Sequence, residues 1–198
     1  MRWMARAAPD VEKVQELTKR IVADARRAFQ IIDRMRATVA GRKAQLTQLS
    51  LGDIIEESMT FLKQELQSRG ISVSLDLATE LPQIVGDRIQ LQQVIVNLVV
   101  NAMQAMADSG GRSILVRTML SDLETVCCAI EDSGLGVDSA TLPHLFDNFF
   151  TTKETGMGMG LPISRSIIEA HGGQIRVENN SRFGGACFSF QLPANGAG

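Results

Sequence analysis

Three neutral amides, Gln93, Asn97 and Asn101, recur every four residues in the segment LQQVIVNLVVNAMQAM, so on a helix they share one stripe. The residues around them are mostly Val, Ile, Leu, Ala and Met. A solvated helix face more often carries Lys and Glu, so amides between apolar flanks read as a partly buried polar site whose donors and acceptors need partners. Amides that merely hold neighbouring loops are the bland alternative. A second group, Asp132, Ser133, Gly134, Leu135 and Gly136, follows directly on a strand pattern. A carboxylate at a strand end can accept the amino hydrogens of a purine, and the two glycines let a ligand approach the backbone. Alone, this D-x-G-x-G reads equally well as a turn, because Asp-Ser-Gly is a common turn sequence.

The third group, Gly156, Gly158 and Gly160, alternates with methionines and leads into the helix pattern LPISRSIIEAHGG. The first turn of such a helix exposes amide hydrogens and a positive dipole end, a geometry that binds phosphate. The dinucleotide fingerprint needs G-x-G-x-x-G after a strand and the Walker loop ends in Gly-Lys-Ser/Thr, and neither is present. A different phosphate-binding scheme is required. Lys153 is the one Lys or Arg between Asp132 and Gly160, which makes it the candidate for a phosphate contact, with a solvated lysine as the alternative.

Positioning these groups falls to elements readable from periodicity. From Val11 to about Ala40 the chain has no Pro or Gly, and Val14, Leu17, Ile21, Ala28, Ile31 and Met35 form a heptad seam interrupted by Asp24. Such a stripe needs a partner helix, so pairing and dimerisation are expected. A possible strand in AQLTQLSL precedes a helix over Asp53 to Ser68, and Ile71, Val73, Leu75 and Leu77 alternate as in a half-buried strand. The amide stripe lies on a helix from Asp87 to about Ala107. Strands follow at Ser113 to Met119 and Thr125 to Glu131, then a long irregular stretch, Asp132 to Gly158, with Phe146, Phe149 and Phe150: a lid candidate. A helix from Gly160 to His171 and strands at Gln174 to Glu178 and Ala186 to Leu192 close the chain. Strand and helix do not alternate regularly, so the fold expected is α+β, a two-layer α/β sandwich.

A net charge of −2 over 198 residues gives no electrostatic reason to expect a nucleic acid partner. No run approaches the ~20 apolar residues of a membrane span. Cys127, Cys128 and Cys187 cannot all pair within one chain and read as buried free thiols of a reducing cytosol.

Taken together, NLVVNAMQAM, EDSGLGVD, LFDNFFTTKETGMGMGLPISRSIIEAHGG and GGACFSFQLP resemble, in order and spacing, the N, G1, F and G2 boxes of the histidine kinase and gyrase type ATPases, the Bergerat fold. The resemblance covers about Gln45 to Pro193 and is nearest to sensor kinases of the nitrogen-fixation type. It implies a catalytic domain over residues 43–198 that binds ATP with magnesium, after a partial dimerisation hairpin over residues 1–42. It further implies that Asn101 coordinates the magnesium ion through its amide oxygen, that Asp132 holds the adenine amino group, and that Gly134 and Gly136 admit the base. Gly156, Gly158 and Gly160 would wrap the triphosphate onto the helix, Phe149 and Phe150 would anchor the lid, and Phe150, Thr151, Thr152, Lys153 and Leu161 would line the nucleotide pocket. Hydrolytic relatives carry a glutamate general base where this chain has Asn97. An amide cannot do that, so the resemblance implies phosphoryl transfer to a histidine, with Asn97 and Lys153 as the catalytic candidates and a receiver-domain aspartate as the next acceptor.

The chain departs from the family pattern in having no phosphate-accepting histidine. His144 and His171 match positions that are not phosphorylated, which places the acceptor upstream of Met1 by analogy. Gln104 and Ala186 stand where many members have lysine and threonine, and Pro162 stands where a serine is usual, although a first helical turn tolerates proline. A homodimer through the N-terminal helices, a response-regulator receiver domain as partner and a cytoplasmic location are the corresponding expectations. Two other classes stay open from sequence: a hydrolase of the gyrase or heat-shock chaperone type, which Asn97 disfavours, and a nucleotide-gated interaction module without chemistry of its own.

Overall fold

The structure, a computed structural model, describes residues 13, 44–107, 109–122, 124–152, 158–179 and 182–194. Apart from residue 13, the expected N-terminal helix over 11–40 lies outside the described residues, as do Lys153 and Gly156. From residue 44 onward the elements are β1 (Thr47–Leu49), α1 (Leu51–Ser68), β2 (Ser72–Asp76), β3 (Ile84–Gly86), α2 (Arg88–Ala105), β4 (Ser113–Asp122), β5 (Thr125–Asp132), α3 (Gly160–Ala170), β6 (Gln174–Asn179) and β7 (Ala186–Pro193). A 3-10 turn, Leu142–His144, interrupts the long segment between β5 and α3.

Five strands form one mixed sheet in the order β2-β4-β5-β7-β6, parallel between β2 and β4 and antiparallel elsewhere. β5 shows why one face is closed: Val126, Cys128 and Ile130 are buried, and the residues between them are less so. Phe188, Phe190 and Leu192 of β7 continue that inner face, and α2 covers it with Leu91, Val94, Ile95, Leu98, Val99, Ala102 and Met103. α2 is apolar on most sides because it also packs against α1 and α3, and Asn97 of its amide stripe lies toward α3. This is the α+β sandwich expected.

Two expectations change. The strand expected in AQLTQLSL shrinks to three residues, and its antiparallel partner β3 (Thr47↔Gly86, Leu49↔Ile84) went unforeseen, three residues being too few for a period. Of the thiols only Cys128 is buried, and burial raises its pKa well above the ordinary value; Cys127 and Cys187 are half-buried. Burial first and Glu131 second push the Cys187 thiol up to about 11, so it stays protonated at neutral pH.

The start of α2 is held by a relay. Asp87 Oδ1 accepts from the N–H of Ile89 (3.0 Å) and Gln90 (3.2 Å), and Oδ2 accepts from Gln45 N–H at 3.0 Å. Asp87 N–H in turn donates to His171 Nε2 at 3.0 Å, and His171 Nδ1–H donates to Ile167 C=O at 2.7 Å, which defines the tautomer. One buried imidazole therefore ties the N-terminus of α2 to the C-terminus of α3. Gly86 makes room for it, since a Cβ there would lie 2.8 Å from Leu91 Cδ1 and 2.9 Å from His171 Cδ2. Asp87→Ala removes three accepted hydrogen bonds, one pair being a helix cap, and urea unfolding should show a loss of about 2 kcal/mol, against less than about 1 kcal/mol for Asp87→Asn.

Candidate functional site

Asp132 ends β5 at 1% exposure. A carboxylate so placed is costly unless donors reach it. Oδ1 accepts from Gly134 N–H at 2.8 Å and from Ala186 N–H, the first residue of β7, at 3.2 Å. These donors come close only because side chains are missing around them. A Cβ on Gly134 would sit 2.8 Å from Ala105 O and 2.9 Å from Asp132 Oδ1, and one on Gly185 would overlap both the carbonyl and the carboxylate of Asp132. Ala105 is the last residue of α2, one turn after Asn101. The end of the amide helix, the D-x-G-x-G segment and the Gly184–Gly185 turn therefore converge.

The segment beyond is pinned on both sides. Ser133 N–H donates to Ser113 C=O at 3.1 Å, while Ser133 Oγ accepts from Ser113 N–H at 2.9 Å. Arg112 closes the carbonyl end of α2, Nη1 donating to the C=O of Met106 and, at 2.7 Å, of Ser109. Gly136 has φ +74°, a conformation that favours glycine.

Asn97 and Asn101 are both half-buried on α2. Asn97 Nδ2 lies 3.5 Å from Ser164 Oγ on α3, at the outer limit of a hydrogen bond, and Ser164 Oγ donates to Gly160 C=O at 3.0 Å. The amide stripe thus faces the first turn of α3. That turn differs from its counterparts: Ser50 and Asp87 cap α1 and α2 through their side chains, whereas α3 begins at Met159 with no side-chain cap. Pro162 lacks an N–H and Ile163 N–H bonds to Met159 C=O, so among the described residues Gly160 and Leu161 offer the open amides. The Gly160 Cβ position is open space, and Leu161 packs against the core.

In the lid candidate, Phe149 N–H donates to Gly158 C=O at 3.1 Å, which brings the two ends of the intervening stretch together. Gly158 has φ +63°, and a Cβ on it would fall onto the backbone of Phe149 and Phe150. The Phe149 side chain, expected to anchor the lid, is 74% exposed, on a residue with φ +65°, a conformation costing of order 1–3 kcal/mol. Phe150 is half-buried, its ring centroid 5.9 Å from that of His144, and His144 Nδ1 lies 2.8 Å from Asp147 Oδ2. Thr151 and Thr152 are exposed.

Of the sequence candidates, Asp132, Gly134 and the end of the Asn101 helix form one locality, and Asn97, Gly160 and Leu161 form another along the same helix. Gly185, Ser164 and Asn179 were not singled out. Gly185 carried a faint signal as half of the Gly-Gly pair before β7, whereas Ser164 and Asn179 become meaningful only through partners 67 and 42 residues away.

Comparison with known proteins gives the family of the chain. Residues 86–196 match the family described as histidine kinase-, DNA gyrase B-, and HSP90-like ATPase. The chain is 40% identical over 186 residues to the sensor protein FixL of Bradyrhizobium diazoefficiens, covering 94% of this chain and 37% of FixL. It is 37% identical over 161 residues to the signal transduction histidine-protein kinase AtoS of Escherichia coli, covering 79% of this chain and 25% of that one. The chain thus spans well under half of these relatives. Among solved structures, the nucleotide-free catalytic domain of histidine kinase ThkA aligns with a TM-score of 0.67 at 31% identity, covering 76% of this chain and 96% of that one. ThkA in complex with the response regulator TrrA aligns with a TM-score of 0.76 at 26% identity, covering 97% of this chain and 55% of that one.

Gly185→Ala should destabilise the chain by about 1–3 kcal/mol through overlap with Asp132. Gly160→Ala, which meets open space at a helical position, should be neutral or gain up to about 1 kcal/mol. Thermal unfolding compares them, and equal effects would contradict the packing described.

Proposed function

The chain belongs to the histidine kinase-, DNA gyrase B-, and HSP90-like ATPase family, and from that premise we propose that it holds magnesium ATP along α2 and directs the terminal phosphoryl group to a histidine rather than to water. The family makes this an ATP-binding domain homologous to those of sensor histidine kinases. The proposal lies in the ion, the residues and the acceptor.

The observation that carries it is Asn97, an amide within 3.5 Å of Ser164 and beside the uncapped first turn of α3. A carboxylate at that point could take a proton from water; an amide has no basic site for it. The residues present fit the nucleotide in a definite order. Asp132, fixed by two backbone donors, is placed to accept from an adenine amino group, with Gly134 giving the clearance. Gly160 and Leu161 amides and the α3 dipole suit the phosphates. Asn101 offers its amide oxygen to magnesium. Among the described residues no cluster of three or more His, Cys, Asp or Glu stands ready for a metal, so the ion's anionic ligands would come from the nucleotide. When bound, magnesium supplies charge neutralisation on the phosphoryl oxygens. Asn97 orients without abstracting a proton, and Lys153, outside the described residues, is the proposed lid cation.

The same reading extends to the partners. The heptad seam from Val14 to Met35 suits a homodimer helix, with residues 1–42 as part of a dimerisation hairpin. A receiver-domain aspartate is the proposed final acceptor, supported by the response regulator seen with ThkA. A cytoplasmic setting accords with ATP use, and among the described residues no helix is long and apolar enough to cross a membrane.

Calorimetric titration should give magnesium-dependent binding of ATP and ADP, weakened more than about tenfold by Asn101→Asp, which sets a negative charge beside the triphosphate, and by Asp132→Asn, which turns amino hydrogens toward those of adenine. Unchanged affinity in both variants would overturn the site.

A further inference from the structure

Asn179 is the last residue of β6 and pairs with Ala186 of β7, whose N–H reaches Asp132 at the end of β5. Asp132, Ala186 and Asn179 therefore stand in one row across three adjacent strands. From Asp132 the chain leaves the sheet through Ser133–Gly136, and at Val137 it is caught again. Asn179 Oδ1 accepts from Val137 N–H at 2.8 Å and Asn179 Nδ2 donates to Val137 C=O at 2.9 Å. The side chain thus makes the same pair of bonds that a neighbouring strand would make. The Val137 side chain packs against the core, so the residue is held from both sides. Gly136 clears the way, since a Cβ on it would lie 2.9 Å from Asn179 Oδ1 and 3.5 Å from Gly184 O.

We infer that Asn179 is a positioning residue that clamps the segment Ser133–Val137 in the shape that receives the nucleotide base. This rests on the reading of Asp132, Gly134 and Gly136 as the base-binding segment. The argument is one of preorganisation. Asp132 and Ser133 fix the start of the segment, and without Asn179 its far end keeps the Val137 side-chain packing but loses both backbone hydrogen bonds, so a ligand must order that backbone on binding. Only a side chain with both an acceptor and a donor at this reach closes the pair. Aspartate keeps the bond to Val137 N–H but turns a second oxygen toward Val137 C=O; alanine makes neither bond.

The test titrates the full chain and its Asn179→Ala, Asn179→Asp and Asp132→Asn variants with ATP and with GTP, and follows amide exchange at Val137 N–H. Asn179→Ala should release Val137 to fast exchange, weaken ATP about five- to tenfold as expected for two exposed hydrogen bonds, and shrink the preference for ATP over GTP by the same factor. Asn179→Asp should fall between it and the parent, and this near-isosteric variant keeps the test readable should the alanine variant not fold. Equal weakening of both nucleotides would reveal a merely structural residue and overturn the inference. So would ATP affinity within twofold of the parent in both Asn179 variants while Asp132→Asn still loses more than tenfold. If Asp132→Asn also bound ATP normally, the base-binding reading itself would fall, and the inference with it.

Discussion

A carboxylate buried at the end of a strand must be met by donors, and around Asp132 the backbone passes so close that positions 134 and 185 leave no room for a side chain. Asp132 imposes this condition on the chain. The turn after it must contain Gly134, which also has to clear the carbonyl of Ala105 at the end of α2. The strand beside it must enter through Gly185, because any Cβ there would overlap Asp132. The sheet order β5-β7-β6 brings the third member of the row, Asn179, within reach of Val137. Helix, strand end and two loops thus converge on one buried group, whose cost the hydrogen bonds to Oδ1 offset in part.

The opposite end of α2 is set by a second relay, Asp87 with His171, which couples the α2 start to the α3 end, while the α3 start has no side-chain cap. Between these two anchors α2 presents Asn97 and Asn101. Under the proposed reading base, ion and phosphates lie in order along one helix, and the acceptor choice turns on the missing carboxylate at position 97.

Much of this was legible beforehand. The strands β4, β5, β6 and β7 and the helices α1 and α3 followed from periods of two and 3.6, because each buries one face against a single layer, whereas α2, buried on several sides, was marked by the four-residue recurrence of its amides. The glycines of D-x-G-x-G stood out as types that chemistry needs. What stayed hidden depends on distant partners or on backbone geometry. β3 exists through pairing with β1 and through the space His171 requires at Gly86. Gly185 looked like any turn glycine until Asp132 lay beside it. Phe149 was expected to anchor the lid candidate, and what joins the ends of that stretch is its N–H bonding to Gly158 C=O, with the ring exposed. Hydrophobicity of a residue type does not report a φ of +65°.

The account's central claim is that this ATP-binding domain gives its phosphoryl group to a histidine and not to water. The direct measurement mixes the chain with a separate polypeptide bearing a family dimerisation hairpin and its histidine, adds ATP labelled on the terminal phosphate, and quantifies acid-labile, base-stable protein phosphate and free phosphate in one sample. The account predicts label on the hairpin histidine, none on His144 or His171, and little free phosphate. Rapid release of free phosphate with an unlabelled hairpin, while ATP still binds, would contradict it.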